Sequence, residues 1–192
     1  MGSGTVGEKL KFQGPFGVFG DQTVLDNFAD KPGVYLWCVD GLEGFFRVHY
    51  VGEAANIRNR IDQHRREQER GNYHAYSAED LRRNTLVLIH RASVGIVPNF
   101  VGKMTADQAN NEYSKCLSIF YAVLPDDTDK RQRCQFETAV GHAIEDWGAN
   151  ILVVGRLNRR IGRPKIFEID TGTSNIEGLT GEKIEVCMPD NL

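Results

Sequence analysis

The 192-residue chain predicts an α+β fold around a single core. Two runs rich in β-branched and aromatic residues, Gly33 to Val39 (GVYLWCV) and Phe45 to Val51 (FFRVHYV), flank the turn-forming segment Asp40-Gly41-Leu42-Glu43-Gly44 and read as a hairpin. Beyond Gly52, and again from Arg133, apolar residues recur at a helical period instead. The six prolines are scattered singly and there is no repeat or low-complexity block, so nothing marks a linker between domains.

The elements follow in chain order. Residues 1–20 open on the Gly-rich, polar MGSGTVGEKLKFQG and read as a flexible N-terminus, leaving 21–192 as one domain. In the hairpin, if Asp40 stands opposite Phe45, paired numbers sum to 85 and Tyr35 lies directly across from Tyr50, two phenols on one face. Asn56 then caps a helix in which Ile57, Ile61 and His64 form a stripe ending near Gly71, with Arg60 and His64 on one face. Thr85 to His90 and Leu117 to Val123 read as strands whose pairing order is left open, and Thr105 caps a helix to Ser114. From Arg133 to Trp147 a second long helix carries Phe136, Val140, Ala143 and Trp147 on its apolar stripe, with Gly148 as its stop. Glu137 and His142 lie off that stripe. The apolar run Ile151 to Val154 leads into RLNRRIGRPK, and the tail from Ile166 reads as short strands and turns.

Composition narrows the function classes. No stretch approaches the roughly 18 apolar residues of a membrane span and the start lacks the apolar core of a secretory signal, so a cytoplasmic protein with no membrane partner is expected. Cys38, Cys116, Cys134 and Cys187 lie far apart with no C-x-x-C pair, which suggests buried thiols rather than a zinc site or disulfide framework. A net charge of -3 weighs against a general nucleic-acid binder, but the distribution is uneven. Between Asn56 and Arg91 there are eight arginines, Arg58, Arg60 and Arg65 among them, against five acids, and Arg156, Arg159, Arg160, Arg163 and Lys165 form an acid-free cluster. Its RRIGRPK core resembles the Gly-Arg-Pro hooks that enter a narrow minor groove, with solvated surface charge as the ordinary alternative.

Gly33-Val34-Tyr35 and Tyr50-Val51-Gly52, separated by a short hairpin, resemble the two signatures that name the GIY-YIG nuclease superfamily. That family places an arginine ten residues beyond the second tyrosine, matched by Arg60, and its homing enzymes add a histidine one turn later, matched by His64. A single glutamate in a later helix and an asparagine shortly after it fit Glu137 and Asn150. The resemblance covers about Gly33 to Arg70 and Leu117 to Asn150. It implies an α+β sandwich with a small central antiparallel three-stranded sheet flanked by helices, an insertion at about 71–116 and a basic extension from about 151. One departure is Glu53, where relatives often carry lysine or serine after the glycine.

The resemblance implies Tyr35, Tyr50, Arg60, His64, Glu137 and Asn150 as catalytic residues, with Glu137 as ligand to Mg2+ or Mn2+. The chemistry agrees, because phosphodiester hydrolysis requires an activated water, an electrophilic metal and positive charge on the phosphate. A lone carboxylate suits magnesium, and an arginine fork suits phosphate oxygens. A free phenol is a poor base at pH 7, so Tyr35 needs help from Arg60, the metal, Tyr50 or His64. Asn150 would hold groups in position by hydrogen bonds. Taken singly, each has an ordinary reading: aromatic packing for the tyrosines, an exposed helix charge for Arg60, a helix-dipole partner for Glu137, a half-buried structural ring for His64. Arg58, Arg65, Arg159, Arg160, Arg163 and Lys165 are the expected nucleic-acid contacts. The expected function is a metal-dependent endonuclease of restriction or homing type on double-stranded DNA, with homodimer pairing or sequential nicking to cut both strands. A repair or RNA-processing nuclease and a non-catalytic binding module are the alternatives.

Overall fold

The computed structural model describes residues 8–19, 22–41, 44–92, 104–146 and 163–188. Among these, no helix is long and apolar enough to cross a membrane. The elements run β1 (Glu8–Phe16), a 3-10 turn (Gln22–Asn27), β2 (Gly33–Asp40), β3 (Phe46–Ala54), α1 (Ile57–Glu69), β4 (Ala75–Tyr76), α2 (Ala78–Arg82), β5 (Leu88–His90), α3 (Ala106–Ser114), β6 (Leu117–Val123), α4 (Lys130–Asp146), β7 (Arg163–Asp170) and β8 (Lys183–Met188). The α+β class holds, but the sheet has six strands in the order β3-β2-β6-β1-β7-β8, not three, with β4 and β5 as a separate pair. The expected antiparallel core is its β3-β2-β6 half.

Two departures enlarge it. Residues 8–16, expected to be flexible, form β1 between β6 and β7, because Leu10 and Phe12 alternate with Lys9 and Lys11 and bury themselves in the sheet. The tail contributes β7, parallel to β1, and β8, antiparallel to β7.

Strand β2 is buried along Gly33 to Val39 because helices cover both faces. Val34, Leu36 and Cys38 join a core with Phe136, Val140 and Ile144 of α4. Tyr35, Trp37 and Val39 join a second core with Ile57 and Ile61 of α1 and Ala109 and Tyr113 of α3. Asn56 caps α1 by accepting from Asn59 N at 2.8 Å, and Thr105 and Gln108 form a capping box on α3. Helix α4 starts earlier than Arg133 because Asp129 and Gln132 exchange reciprocal 2.8 Å bonds at its head. Glu137 therefore lies about two turns inside the helix, beyond reach of its N-terminal dipole.

The hairpin register differs from the expected one. Asp40 pairs with Phe46, and between Trp37 and Cys38 a bulge leaves His49 as an extra residue, so Trp37 faces Tyr50 and Tyr35 faces Gly52. The two one-residue shifts cancel in parity, and Tyr50 remains on the face of Tyr35 as its diagonal neighbour, ring centroids 6.1 Å apart. A side chain at Gly52 would collide with Cζ and Oη of Tyr35, whose ring lies flat over the glycine. Gly52→Ala is expected to cost about 1–3 kcal/mol by overpacking. Urea denaturation checks this, and an unchanged midpoint would show that the Tyr35 ring can move aside.

Candidate active site

Strand β3 ends the sheet on its side, with α1 packed on one face and α4 on the other. Groups carried on opposite faces can therefore share one field around this edge.

On the α1 side the hub is Tyr35. Its hydroxyl accepts from Arg60 Nε at 3.3 Å and lies 2.8 Å from His64 Nε2, while His64 Nδ1 lies 3.1 Å from the hydroxyl of Tyr73. Burial, reinforced by the charge of Arg60, lowers the His64 imidazole to about 4, so the ring is neutral at pH 7. Tyr35 is 0% exposed and its proton must find a buried acceptor, which is Nε2. The ring hydrogen is then on Nδ1, donated to Tyr73. Burial first, then the phenol of Tyr50, push the Tyr35 phenol well above its ordinary value, with Arg60 pulling the other way. Tyr35, His64 and Tyr73 thus form a neutral hydrogen-bonded line, with no strong base in it at pH 7.

That line orients Arg60. Its Nε is taken by Tyr35 and Nη1 donates to Gln63 Oε1 at 2.7 Å, which fixes the guanidinium plane and leaves Nη2 without a partner among the described residues. Tyr50, half-buried, lines the adjoining cavity together with Arg60 and His64.

On the α4 side is Glu137, half-buried and without a hydrogen bond or ion pair among the described residues. Burial first, then the charge of Glu53, raise its carboxyl to about 7, and Arg60 pulls it down. Arg60 and Glu137 therefore feel one another across the β3 edge. Glu53 itself is ion-paired, accepting from Arg133 Nε at 2.7 Å, so the acidic residue after the second glycine turns toward α4. A buried carboxyl beside a second carboxylate favours a bound cation, and its hard oxygens suit magnesium. Magnesium keeps several waters when bound, so a single carboxylate such as Glu137 could hold it with waters or substrate oxygens completing the shell.

The structure thus brings Tyr35, Tyr50, Arg60 and His64 together and couples Glu137 to them through charge. Asn150, Arg159 and Arg160 lie outside the described residues, as does Trp147. Arg58 is held by Asp26 at 2.6 Å and Asp30 at 3.6 Å, and Arg65 by Asp62 at 2.9 Å and Glu69 at 2.8 Å, so these charges are compensated within the protein. Arg163 and Lys165 stand on β7, four strand positions from β3, and Lys165 contacts Glu8 at 3.3 Å.

Sequence reasoning passed over Trp37, His49, Tyr73, Tyr76 and Tyr113, which line a cavity of about 310 Å³ beside Arg60. The signal available was the density of tyrosine and histidine from Tyr73 to Tyr76, inside the segment set apart as an insertion. The bulge turns both His49 and Tyr50 to this side.

The buried histidines make stability depend on pH. His49, like His64, is lowered to about 4 by burial. Between about 4 and the ordinary 6.5 the unfolded chain binds a proton at each ring that the folded chain refuses, so their contribution is present above 6.5 and lost as pH falls toward 4. Glu137, raised rather than lowered, acts in the opposite direction over its own window. The comparison to make is therefore wild type against His49→Phe. The slope of unfolding free energy with pH should fall by at most about 1.4 kcal/mol per pH unit in the variant, read from urea midpoints at pH 4.5 to 6.5. Equal slopes would mean that His49 is solvated in the fold.

No family model matches the chain, and no curated protein or solved structure matches it.

Proposed function

We propose that the chain is a divalent-cation-dependent endonuclease that hydrolyses phosphodiester bonds in nucleic acid, with double-stranded DNA as the expected substrate. The observation that carries this reading is an arginine whose guanidinium is fixed by a buried Tyr-His-Tyr line and shares its field with a half-buried carboxyl that has no partner among the described residues. The spacing of Tyr35, Tyr50, Arg60 and Glu137, which resembles the GIY-YIG nucleases, supports it independently.

In this reading Arg60 presents its remaining donors to the phosphate oxygens and meets the charge that develops there. Tyr35 and His64 act through Arg60, as positioning residues, because both are buried and fully engaged. Tyr50 stands at the reacting edge, and Glu137 holds the cation. Bound magnesium would supply Lewis acidity and a water of lowered pKa. Arg163 and Lys165 on β7 lie apart from this edge and would act in substrate choice.

Incubation of purified protein with supercoiled plasmid, with magnesium and with a chelator, tests the reading. Nicked or linear product that depends on the cation is expected. Retarded plasmid without any product under magnesium or manganese would instead establish a non-catalytic binding module.

A further inference from the structure

We propose that the aromatic cavity beside Arg60 receives one nucleobase of the bound strand, held out of the base stack, while Arg60 holds the adjoining phosphate. The proposal rests on the nucleic-acid reading above and adds what the site selects.

The walls are flat rings already set edge to face. His49 meets Tyr76 at 5.8 Å and 78° and Tyr113 at 6.1 Å and 83°, Tyr76 meets Tyr113 at 5.9 Å and 65°, and Trp37 meets His64 at 5.5 Å and 75°. They leave about 310 Å³ unfilled, a space suited to a flat ring with a π face. Among the described residues the lining contains no carboxylate and no lysine, and its one permanent charge is Arg60. A neutral heterocycle with a phosphate attached matches that distribution. A cationic ligand would instead meet the like charge of Arg60.

Orphaned polar atoms point the same way. Among the described residues, Nε1 of Trp37 and Nδ1 of His49 are buried without a hydrogen-bond partner. Polar groups buried without partners are rare in folded proteins, and a site that recognises hydrogen-bonding edges is where they occur. A nucleobase offers both donors and acceptors at its rim and an apolar face, which an aliphatic ligand does not. The construction is also local: a bulge in β3 delivers His49, and residues 73–113 deliver the opposite wall.

Calorimetric titration of the full chain with the four deoxynucleoside 5′-monophosphates and with deoxyribose 5-phosphate tests this without any cleavage. At least one nucleotide is expected to bind about tenfold more tightly than the sugar phosphate, the scale of stacking one base on aromatic side chains. Tyr76→Leu, and Tyr113→Phe with its smaller change, should narrow that gap, with folding checked by circular dichroism. Nucleotides and sugar phosphate binding within twofold of one another, or a gap unchanged in both tyrosine variants, would overturn the proposal. Plasmid cleavage without a base gap defeats the cavity assignment alone. A base gap without cleavage under any divalent cation defeats the nuclease reading and leaves the cavity assignment standing.

Discussion

Glu137→Gln is expected to remove cation-dependent cleavage, by ~10³-fold or more, while nucleic-acid binding survives. The magnitude follows from what a bound cation contributes to phosphate hydrolysis, several kcal/mol of transition-state stabilisation, at about 1.4 kcal/mol for each tenfold in rate. The amide keeps the shape of the side chain but offers magnesium only a neutral oxygen. Folding should not suffer, because Glu137 makes no hydrogen bond or ion pair among the described residues and its charge is disfavoured by burial and by Glu53. Binding should hold or tighten slightly, since a negative charge is withdrawn from beside the phosphate. Single-turnover cleavage and fluorescence anisotropy on the same labelled duplex give the two quantities. Undiminished cleavage by the variant would remove Glu137 from the metal site. Glu53→Gln is the useful companion, because it withdraws the charge that raises the Glu137 carboxyl and the ionic part of the 2.7 Å contact with Arg133 while leaving the Glu137 side chain in place.

How much of this was legible in the sequence depended on how local the signal was. The caps at Asn56 and Thr105, and strands β2 and β6, were written within a few residues of themselves, and they stand where expected. The register of the hairpin was not, because a longer connection and a bulge at His49 each add one residue that no propensity announces. Only the face of Tyr50 survived, since two single shifts restore the period of two. Strand β1 was passed over because its alternation, Leu10 and Phe12 between lysines, follows a Gly-rich start that suggested disorder. Arg58 and Arg60 look alike in sequence. One is claimed by Asp26 and Asp30 and the other by Tyr35 and Gln63, a distinction made entirely by tertiary placement. The aromatic cavity was invisible for the same reason: Trp37, His49, Tyr76 and Tyr113 come from four separate elements.

Arg60→Lys should lower the cleavage rate by roughly 10²-fold, the cost of removing one preorganised donor, with little change in binding. Lysine preserves the charge but not the planar fork. In the fold the fork does two things at once: Nε and Nη1 anchor the group to Tyr35 and Gln63, and the remaining donors are thereby aimed outward. An ammonium on a flexible stem cannot divide its donors in this way, so it would satisfy Tyr35 or the phosphate but not hold a fixed geometry for both. The helix itself should tolerate the change, because lysine is a good helix former. Tyr35 sharpens the test. Tyr35→Phe leaves the arginine in place but removes the oxygen that fixes Nε, and it strips His64 Nε2 of its partner. If Arg60 works through its orientation, Tyr35→Phe should cut more slowly than wild type although no group touching the phosphate has been altered, and the double variant should be little slower than Arg60→Lys alone. Losses that multiply in the double variant would show Tyr35 acting on the reaction by its own route. Arg60→Lys cutting at the parental rate while binding weakly would make Arg60 a substrate-positioning contact, and the reacting centre would then have to be sought around Tyr50 and Glu137 without it.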